Sequence, residues 1–136
     1  MKNCWLLKTD PEDYTYSDLE RDGKAVWDGV SNNLALQNLR KISRGDRLLI
    51  YHTGAEKAVV GLAEAASDPY ADPKATDPKL VVIDVKPLRR VKRLTTLGEI
   101  KQTTALATFQ LVRQPRLSVV PVNEQEWSII AEMTGL

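Results

Sequence analysis

The chain has 136 residues, of which 43% are hydrophobic and 27% are charged, and this composition predicts one globular domain spanning residues 1–136. Nineteen basic and eighteen acidic residues leave a formal net charge of +1, which argues against a protein that coats nucleic acid through bulk charge. A single cysteine, Cys4, and a single histidine, His52, exclude an internal disulfide and a zinc site with several Cys and His ligands.

The sequence also lacks the usual signs of membrane insertion or export. No apolar run approaches the roughly 20 residues that a membrane-spanning helix needs. The apolar run near the N-terminus is too short for a signal peptide, and Lys8 closes it. We therefore expect a cytoplasmic monomer with no membrane partner.

The first part of the chain predicts two strands and two helices. Residues 4–8 form an apolar run that Thr-Asp-Pro ends, which is typical of a strand. Residues 17–20 (Ser-Asp-Leu-Glu) have the pattern of a capping box and predict a short helix that Gly23 ends. Residues 25–27 predict a brief strand, and a helical pattern follows from about residue 32 to residue 44.

The central part predicts a hairpin and a long strand. Residues 47–52 and 58–65 are strand-like and flank a short connection. Asp-Pro then occurs three times between residues 68 and 78, which predicts an irregular surface loop. The spacing of those aspartates matches no EF-hand loop, so we predict no metal site there. Residues 79–91 form the longest predicted strand.

The last part predicts short helices around a final strand. Residues 96–99 have a second capping-box pattern, and residues 106–111 predict another helical turn. Residues 117–120 predict a strand, and Asn123 is the predicted cap of the last helix. About five or six strands with short helices and hairpin-like connections predict an α+β fold with a curved, mostly antiparallel sheet.

Trp27-Asp28-Gly29, within the stretch from residue 25 to residue 32, allows two interpretations. The tryptophan can fill the core beside a glycine that adopts an unusual backbone angle. It can also form a stacking surface, with the glycine allowing a flat ligand to approach the main chain. Tryptophan is highly buried on average, so chemistry alone favours the core.

The search for catalytic motifs is mostly negative. Any Ser-His-Asp or Cys-His triad would have to use His52, and no nucleophile-elbow or papain-like sequence surrounds the serines or Cys4. No Gly-x-Gly-x-x-Gly or Walker pattern occurs, and we predict no cofactor. The polar residues at predicted strand ends, Lys8-Thr9 and Tyr51-His52-Thr53, would together with Trp27 suit a planar base with polar edges. Alternatively, Tyr51 lies in the core and His52 is a satisfied surface histidine.

Several ordered motifs resemble one known family. They are Trp5-Leu-Leu-Lys-Thr-Asp-Pro11 with Tyr14, Trp27-Asp-Gly-Val30 with Asn32, Tyr51-His52-Thr53, Val60-Gly-Leu-Ala-Glu64 and Arg113-Gln-Pro-Arg-Leu-Ser-Val119. Together they resemble the EVE domain, a member of the PUA-like superfamily, over nearly the whole chain. The resemblance implies a curved, barrel-like sheet with helices packed on it. It also implies a non-enzymatic module that binds a modified base in nucleic acid, notably a modified cytosine in DNA.

The resemblance also implies which residues form the binding site. Trp27 would form a wall of the central cleft. The other predicted cleft residues are Lys8, Thr9, Gly29, Val30, Asn32, Tyr51, His52 and Ser118. Two basic runs, at residues 40–47 and 86–93, are either solvated faces or phosphate contacts, and we predict weak phosphate contacts from Arg40, Arg113 and Arg116.

One segment departs from the family pattern. After the Trp-Asp-Gly-Val signature, the family commonly continues Arg-Asn-Tyr-Gln-Ala-Arg-Asn, whereas this chain reads Ser31-Asn-Asn-Leu-Ala-Leu-Gln37. Two arginines, which are natural phosphate or base-edge donors, are therefore missing. Two alternative functions stay open: a hydrolase acting on RNA or a modified nucleoside with His52 as acid or base and Lys8 nearby, and an interaction module for a protein or small molecule.

Overall fold

A computed structural model describes residues 3–136, and this part of the chain contains seven strands and five α-helices. The strands are β1 (Cys4–Thr9), β2 (Ala25–Trp27), β3 (Arg47–His52), β4 (Ala58–Ala65), β5 (Tyr70–Ala71), β6 (Val81–Thr96) and β7 (Val119–Val122). The helices are α1 (Tyr16–Asp22), α2 (Asn33–Arg40), α3 (Leu97–Gln102), α4 (Gln110–Arg113) and α5 (Glu124–Thr134), with a 3₁₀ turn at Thr104–Leu106. None of these helices has the length and apolar character needed to span a bilayer.

All seven strands belong to one mixed, curled sheet. Six strands pair in the order β2-β6-β4-β3-β1-β7, and the short β5 pairs with β6. Every pairing is antiparallel except β1 with β3, which are parallel. The register shifts within the β3–β4 and β4–β6 pairs, and such irregularities bend a sheet. The predicted α+β class with a curved, mostly antiparallel sheet is therefore confirmed.

Helix α1 is fixed to the sheet by a buried tyrosine. Tyr16 is fully buried, and its hydroxyl donates to the carbonyl of Leu62 at 2.6 Å. Its ring lies against Gly61, where an added Cβ would be 2.5 Å from the ring. A glycine at position 61 is therefore what allows α1 to lie this close to β4.

The beginning of α1 differs from the sequence prediction. The capping box is formed by Thr15 and Asp18, because the Thr15 hydroxyl accepts from the Asp18 N–H and the Asp18 carboxylate accepts from the Thr15 N–H. The predicted pair, Ser17 and Glu20, lies inside the helix and forms no capping box. The predicted end at Gly23 is confirmed, since Gly23 has a left-handed φ of 74°.

Three other predicted boundaries were wrong by several residues. Helix α2 ends at Arg40 rather than near residue 44, and β6 continues to Thr96 instead of ending at residue 91. Strand β7 is shifted by two residues and contains Pro121. Proline is tolerated there because β7 is the last strand of the sheet, and an edge strand can lose one ladder donor.

Candidate functional site

An open cleft of about 530 Å³ lies between the end of β1, the loop that follows it, and β2. Its volume is in the range of small-molecule sites. The two sides of the cleft come from distant strands of the curled sheet, because β3, β4 and β6 lie between β1 and β2 in the strand order. The residues that line it are Lys8, Thr9, Asp10, Asp13, Tyr14, Ala25, Val26, Trp27, Asp28 and Gly29.

Two aromatic rings meet at right angles in the wall of the cleft. The centroids of Tyr14 and Trp27 are 6.4 Å apart and their planes are at 84°, an edge-to-face arrangement. Trp27 is only 8% exposed, so it belongs to the core although it also lines the cleft. Within residues 3–136 its indole N–H donates no hydrogen bond, and it is not among the side-chain N and O atoms sealed from solvent. The core interpretation of Trp27 is therefore confirmed, and its role as a stacking surface stays a prediction.

The backbone beside Trp27 leaves space. Gly29 has a φ of +79°, a left-handed conformation that side chains disfavour. A Cβ added there would meet no protein atom within 4 Å among the described residues. The glycine is therefore required by its backbone angle, and the main chain at this point is open to a ligand.

The cleft carries more negative than positive charge. Three aspartates, Asp10, Asp13 and Asp28, line it together with one cation, Lys8. The ammonium group of Lys8 donates to the carbonyl of Pro115 at 2.9 Å, and burial lowers its pKa. The lining of the cleft therefore offers more carboxylate acceptors than cationic donors.

The loop between β1 and α1 has internal bonds that hold its shape. The Thr9 hydroxyl donates to the Tyr14 carbonyl at 2.8 Å, and the N–H groups of Asp13 and Tyr14 both donate to the Asp10 carbonyl at 2.9 Å. The Tyr14 hydroxyl donates to Asp22 on α1 at 2.8 Å. Partial burial, together with the Asp22 carboxylate, raises the pKa of Tyr14 to about 12.

Four of the nine predicted cleft residues line the cleft: Lys8, Thr9, Trp27 and Gly29. The other five have different surroundings. Val30 is buried in the core, and Asn32 caps α2 by accepting from the Ala35 N–H at 3.1 Å. Their contact with a base stays a prediction, and neither lines the cleft.

The remaining three predicted cleft residues lie behind or beside it. Tyr51 is 3% exposed, and its ring lies 5.7 Å from the Lys8 ammonium nitrogen. His52 is 7% exposed and is bonded within the protein on both sides of its ring. Ser118 accepts from the Lys8 N–H through its main-chain carbonyl at 3.0 Å. These residues support Lys8 and the cleft wall from within.

The predicted phosphate contacts also differ in their surroundings. Arg40 donates to the carbonyl of Lys79 at 2.5 Å, which joins it to the Asp-Pro loop. Arg113 and Arg116 are exposed and flank Pro115, whose carbonyl accepts from Lys8. The segment that carries these two arginines therefore lies next to the cleft residue Lys8.

Sequence reasoning did not assign Asp10, Asp13, Tyr14, Val26 and Asp28 to the cleft, although they line it. Asp10 and Tyr14 belong to the motif after β1, and Asp28 adjoins Trp27, so motif adjacency was the available signal. Val26 is 50% exposed on a strand whose neighbour Trp27 is buried. An apolar residue on the outer side of a short edge strand was the signal for Val26.

The altered segment that follows the Trp-Asp-Gly-Val signature does not lie wholly at the ligand side. Leu36, at a position where the family commonly has arginine, is 3% exposed and packs in the core beneath α2. Ser31 and Asn33 are exposed. In this chain, position 36 therefore contributes to packing rather than to a charged surface.

A curled half-barrel sheet that packs short helices and leaves an open cleft beside β1 and β2 defines a PUA-like domain. The EVE domain family model matches residues 3–133, and the chain belongs to that family. Among its described residues, no group of three or more His, Cys, Asp and Glu side chains is arranged to hold a metal ion.

Three similar proteins illustrate the family. Mouse thymocyte nuclear protein 1 is 30% identical over 98% of this chain and 74% of its own length. The crystal structure of Atu2648 from Agrobacterium tumefaciens has a TM-score of 0.95 and 31% identity, and the match covers 98% of this chain and 94% of that one. The human THYN1 protein was crystallised in complex with DNA containing 5-methylcytosine; its TM-score is 0.91, with 24% identity over 99% of both chains. At that identity the last comparison shows the fold alone.

Proposed function

We propose that this EVE domain binds a modified base of DNA, most simply a modified cytosine, in the cleft between β1 and β2. The observation that carries the proposal is the cleft itself, which is lined by Tyr14, by Trp27, whose indole N–H has no partner within residues 3–136, and by the open main chain at Gly29. An aromatic wall with a few polar groups suits a flat ring with polar edges. The human THYN1 complex with 5-methylcytosine DNA supports the same ligand class.

The charge of the cleft supports a base with an exocyclic amino group, such as cytosine. A cytosine carries an exocyclic amino group that donates hydrogen bonds, and carboxylates accept such bonds. Asp10, Asp13 and Asp28 supply the carboxylates, while the Trp27 N–H can donate to a ring nitrogen or carbonyl. The same negative charge disfavours a phosphate inside the cleft, so the base enters while its backbone stays outside, as in base flipping.

The hydrolase alternative has less support. Both ring nitrogens of His52 have protein partners, at 3.0 Å and 2.9 Å, and the side chain is 7% exposed. A general acid or base must reach the proton that it transfers, and His52 reaches its protein partners instead. We therefore propose binding without turnover.

A matched pair of tryptophan variants tests the proposal. Trp27→Phe keeps an aromatic ring in the core but removes the indole N–H, whereas Trp127→Phe makes the same change far from the cleft. Affinity is measured by fluorescence anisotropy for duplexes that carry cytosine, 5-methylcytosine or another modified cytosine. We expect tighter binding to one modified duplex, and we expect Trp27→Phe to weaken it by about tenfold, the effect of about one lost hydrogen bond.

The control variant and the wild type decide the outcome. Trp127→Phe should bind as the wild type does, since Trp127 lies against Arg47 and outside the cleft. Equal affinity of the wild type for all duplexes, or no binding at moderate salt, would overturn the proposed function. Equal loss in both variants would show that general destabilisation, and not the cleft, causes the effect.

A further inference from the structure

His52 is a buried titratable group that lies beside the cleft without lining it. It is the last residue of β3 and is paired with Thr9 at the end of β1 and with Ala58 at the start of β4. Thr9 lines the cleft, and His52 lies beside it on the neighbouring strand β3. The side chain is 7% exposed. A polar ring kept in such a place needs partners for both of its nitrogens.

The two partners fix the proton on the ring. The main-chain N–H of Tyr16 donates to Nε2 of His52 at 3.0 Å. An N–H group can only donate, so Nε2 carries no proton in this arrangement. The proton is therefore on Nδ1, which donates to Oε1 of Glu56 at 2.9 Å. Glu56 selects the tautomer, and the tautomer makes Nε2 an acceptor.

The Tyr16 N–H belongs to the end of the cleft loop. Tyr16 is the first residue of α1, where main-chain N–H groups have no partner within the helix. The Thr15 hydroxyl satisfies the N–H of Asp18, and His52 satisfies that of Tyr16. The loop of residues 10–15, which supplies Asp10, Asp13 and Tyr14 to the cleft, ends at this bond.

We propose that His52 is a positioning residue that holds the cleft loop of residues 10–15 in its binding conformation through the Tyr16 main chain, with Glu56 orienting its ring. The inference rests on the proposed function, because it assigns to His52 a part in shaping the site for the base. It replaces the predicted direct contact between His52 and the base by an indirect one. The sequence separation of 36 residues makes the bond a tertiary clamp between β3 and the cleft loop.

A graded set of variants tests this role. His52→Leu removes the acceptor, whereas His52→Gln places an amide oxygen near the position of Nε2 and should restore the bond. Glu56→Ala removes the acceptor that keeps the proton of His52 on Nδ1. Glu56→Gln keeps an acceptor for Nδ1–H. Glu56 is 44% exposed at its side chain, so its variants leave the core unchanged even where His52→Leu fails to fold.

The first measurement needs no ligand. Amide hydrogen exchange followed by NMR reports the opening of the loop at Tyr14 and Tyr16, and amides of β3 such as Leu49 serve as the internal reference. We expect exchange at the loop to accelerate by about tenfold in His52→Leu and to return near the wild-type rate in His52→Gln, since about one hydrogen bond is lost and regained. A scalar coupling across the Tyr16 N–H···Nε2 bond should be visible in the wild type, weaker in Glu56→Ala and absent in His52→Leu.

The second measurement is affinity for the modified duplex that the wild type prefers. We expect about a tenfold loss in His52→Leu and a smaller loss in Glu56→Ala, with recovery in His52→Gln and Glu56→Gln. Loop exchange that is unchanged in His52→Leu and Glu56→Ala would overturn the inference, whatever the ligand proves to be. A wild type that binds no modified duplex would overturn the proposed function and leave the exchange result as the test of the clamp. Loop exchange that changes without any change in affinity would also overturn the inference, because the clamp would then not serve binding.

Discussion

The two ends of the β1–β3 pair differ in where their polar groups find partners. At the end where the two strands begin, the Asp46 carboxylate accepts from the indole N–H of Trp5 and from the main-chain N–H groups of Asn3 and Ser43. The Arg47 guanidinium lies 4.2 Å from the centre of the Trp127 ring. The carboxylate and the indole are bonded within the protein, and the cation lies over an aromatic ring, although Arg47 Nε has no hydrogen-bond partner among the described residues.

At the other end, where β1 and β3 finish, Lys8 donates to the Pro115 carbonyl and Asp10 accepts from the Glu12 N–H, whereas other groups of the same kinds have no partner among the described residues. The indole N–H of Trp27 has no partner within residues 3–136, and Asp10, Asp13 and Asp28 face the cleft. The comparison teaches that residue type does not distinguish a structural site from a binding site. For the indoles and for most of the carboxylates, the two ends differ in whether these groups have partners within the described part of the protein, and we infer that this difference marks the proposed binding site.

The largest expected effect, on the free energy of unfolding, comes from removing the Asp46 carboxylate at the end where β1 and β3 begin. Asp46 is 4% exposed, so Asp46→Ala would leave buried N–H donors without an acceptor. We expect a loss of about 3 kcal/mol in the free energy of unfolding, measured by urea denaturation. The cleft lies at the opposite end of the strands, so the folded variant should keep its affinity for the modified duplex. A stability loss below about 1 kcal/mol would show that water replaces the carboxylate at this end.

The matched change at the open end is Asp28→Ala. Asp28 is exposed and lines the cleft, so we expect a change in unfolding free energy of less than about 0.5 kcal/mol. Affinity for the modified duplex should fall, because a carboxylate acceptor for the base is lost. If Asp28→Ala binds as tightly as the wild type, the carboxylates of the cleft do not read the amino edge of the base.

Asn32 gives an intermediate effect and separates a cap from a ligand contact. Its side chain accepts from the Ala35 N–H at 3.1 Å, so Asn32→Ala should cost about 1 kcal/mol in unfolding free energy. Asn32→Ser keeps a capping oxygen and should keep both stability and affinity. Wild-type stability with weaker binding in Asn32→Ser would instead support the direct base contact that the sequence predicts.

Sequence patterns predicted correctly several features that depend on residues close together in the chain. The caps at Thr96 and Asn123 were predicted from residues three positions apart, and strands 47–52 and 58–65 were predicted with their observed bounds. Thr15 was missed because two overlapping capping patterns compete, and packing of the fully buried Tyr16 against Gly61 accompanies the earlier start.

The candidate site was harder to predict because its bonds are distant in sequence. Lys8 donates to a carbonyl 107 residues away, and the Tyr16 N–H that ends the cleft loop donates to a histidine 36 residues away. The sequence placed Trp27, Lys8 and His52 near one another, but no local pattern shows which of them has a partner inside the protein. Only the structure therefore shows which polar groups have partners, and the comparison of the two ends depends on that information.

The smallest expected effect concerns Tyr14, whose ring lines the cleft while its hydroxyl is bonded within the protein. The hydrogen bond from Tyr14 is the main cause that lowers the pKa of Asp22. Tyr14→Phe keeps the ring, so affinity should be unchanged, and the pKa of Asp22 should rise toward its ordinary value in an NMR titration. Because the pKa of Asp22 is lower in the folded state, the bond stabilises the protein above the ordinary Asp pKa of about 3.9. The small difference in unfolding free energy between the wild type and Tyr14→Phe should therefore disappear as the pH falls through the lowered pKa of Asp22. A loss of affinity in Tyr14→Phe would show that the hydroxyl, and not the ring alone, belongs to the open end.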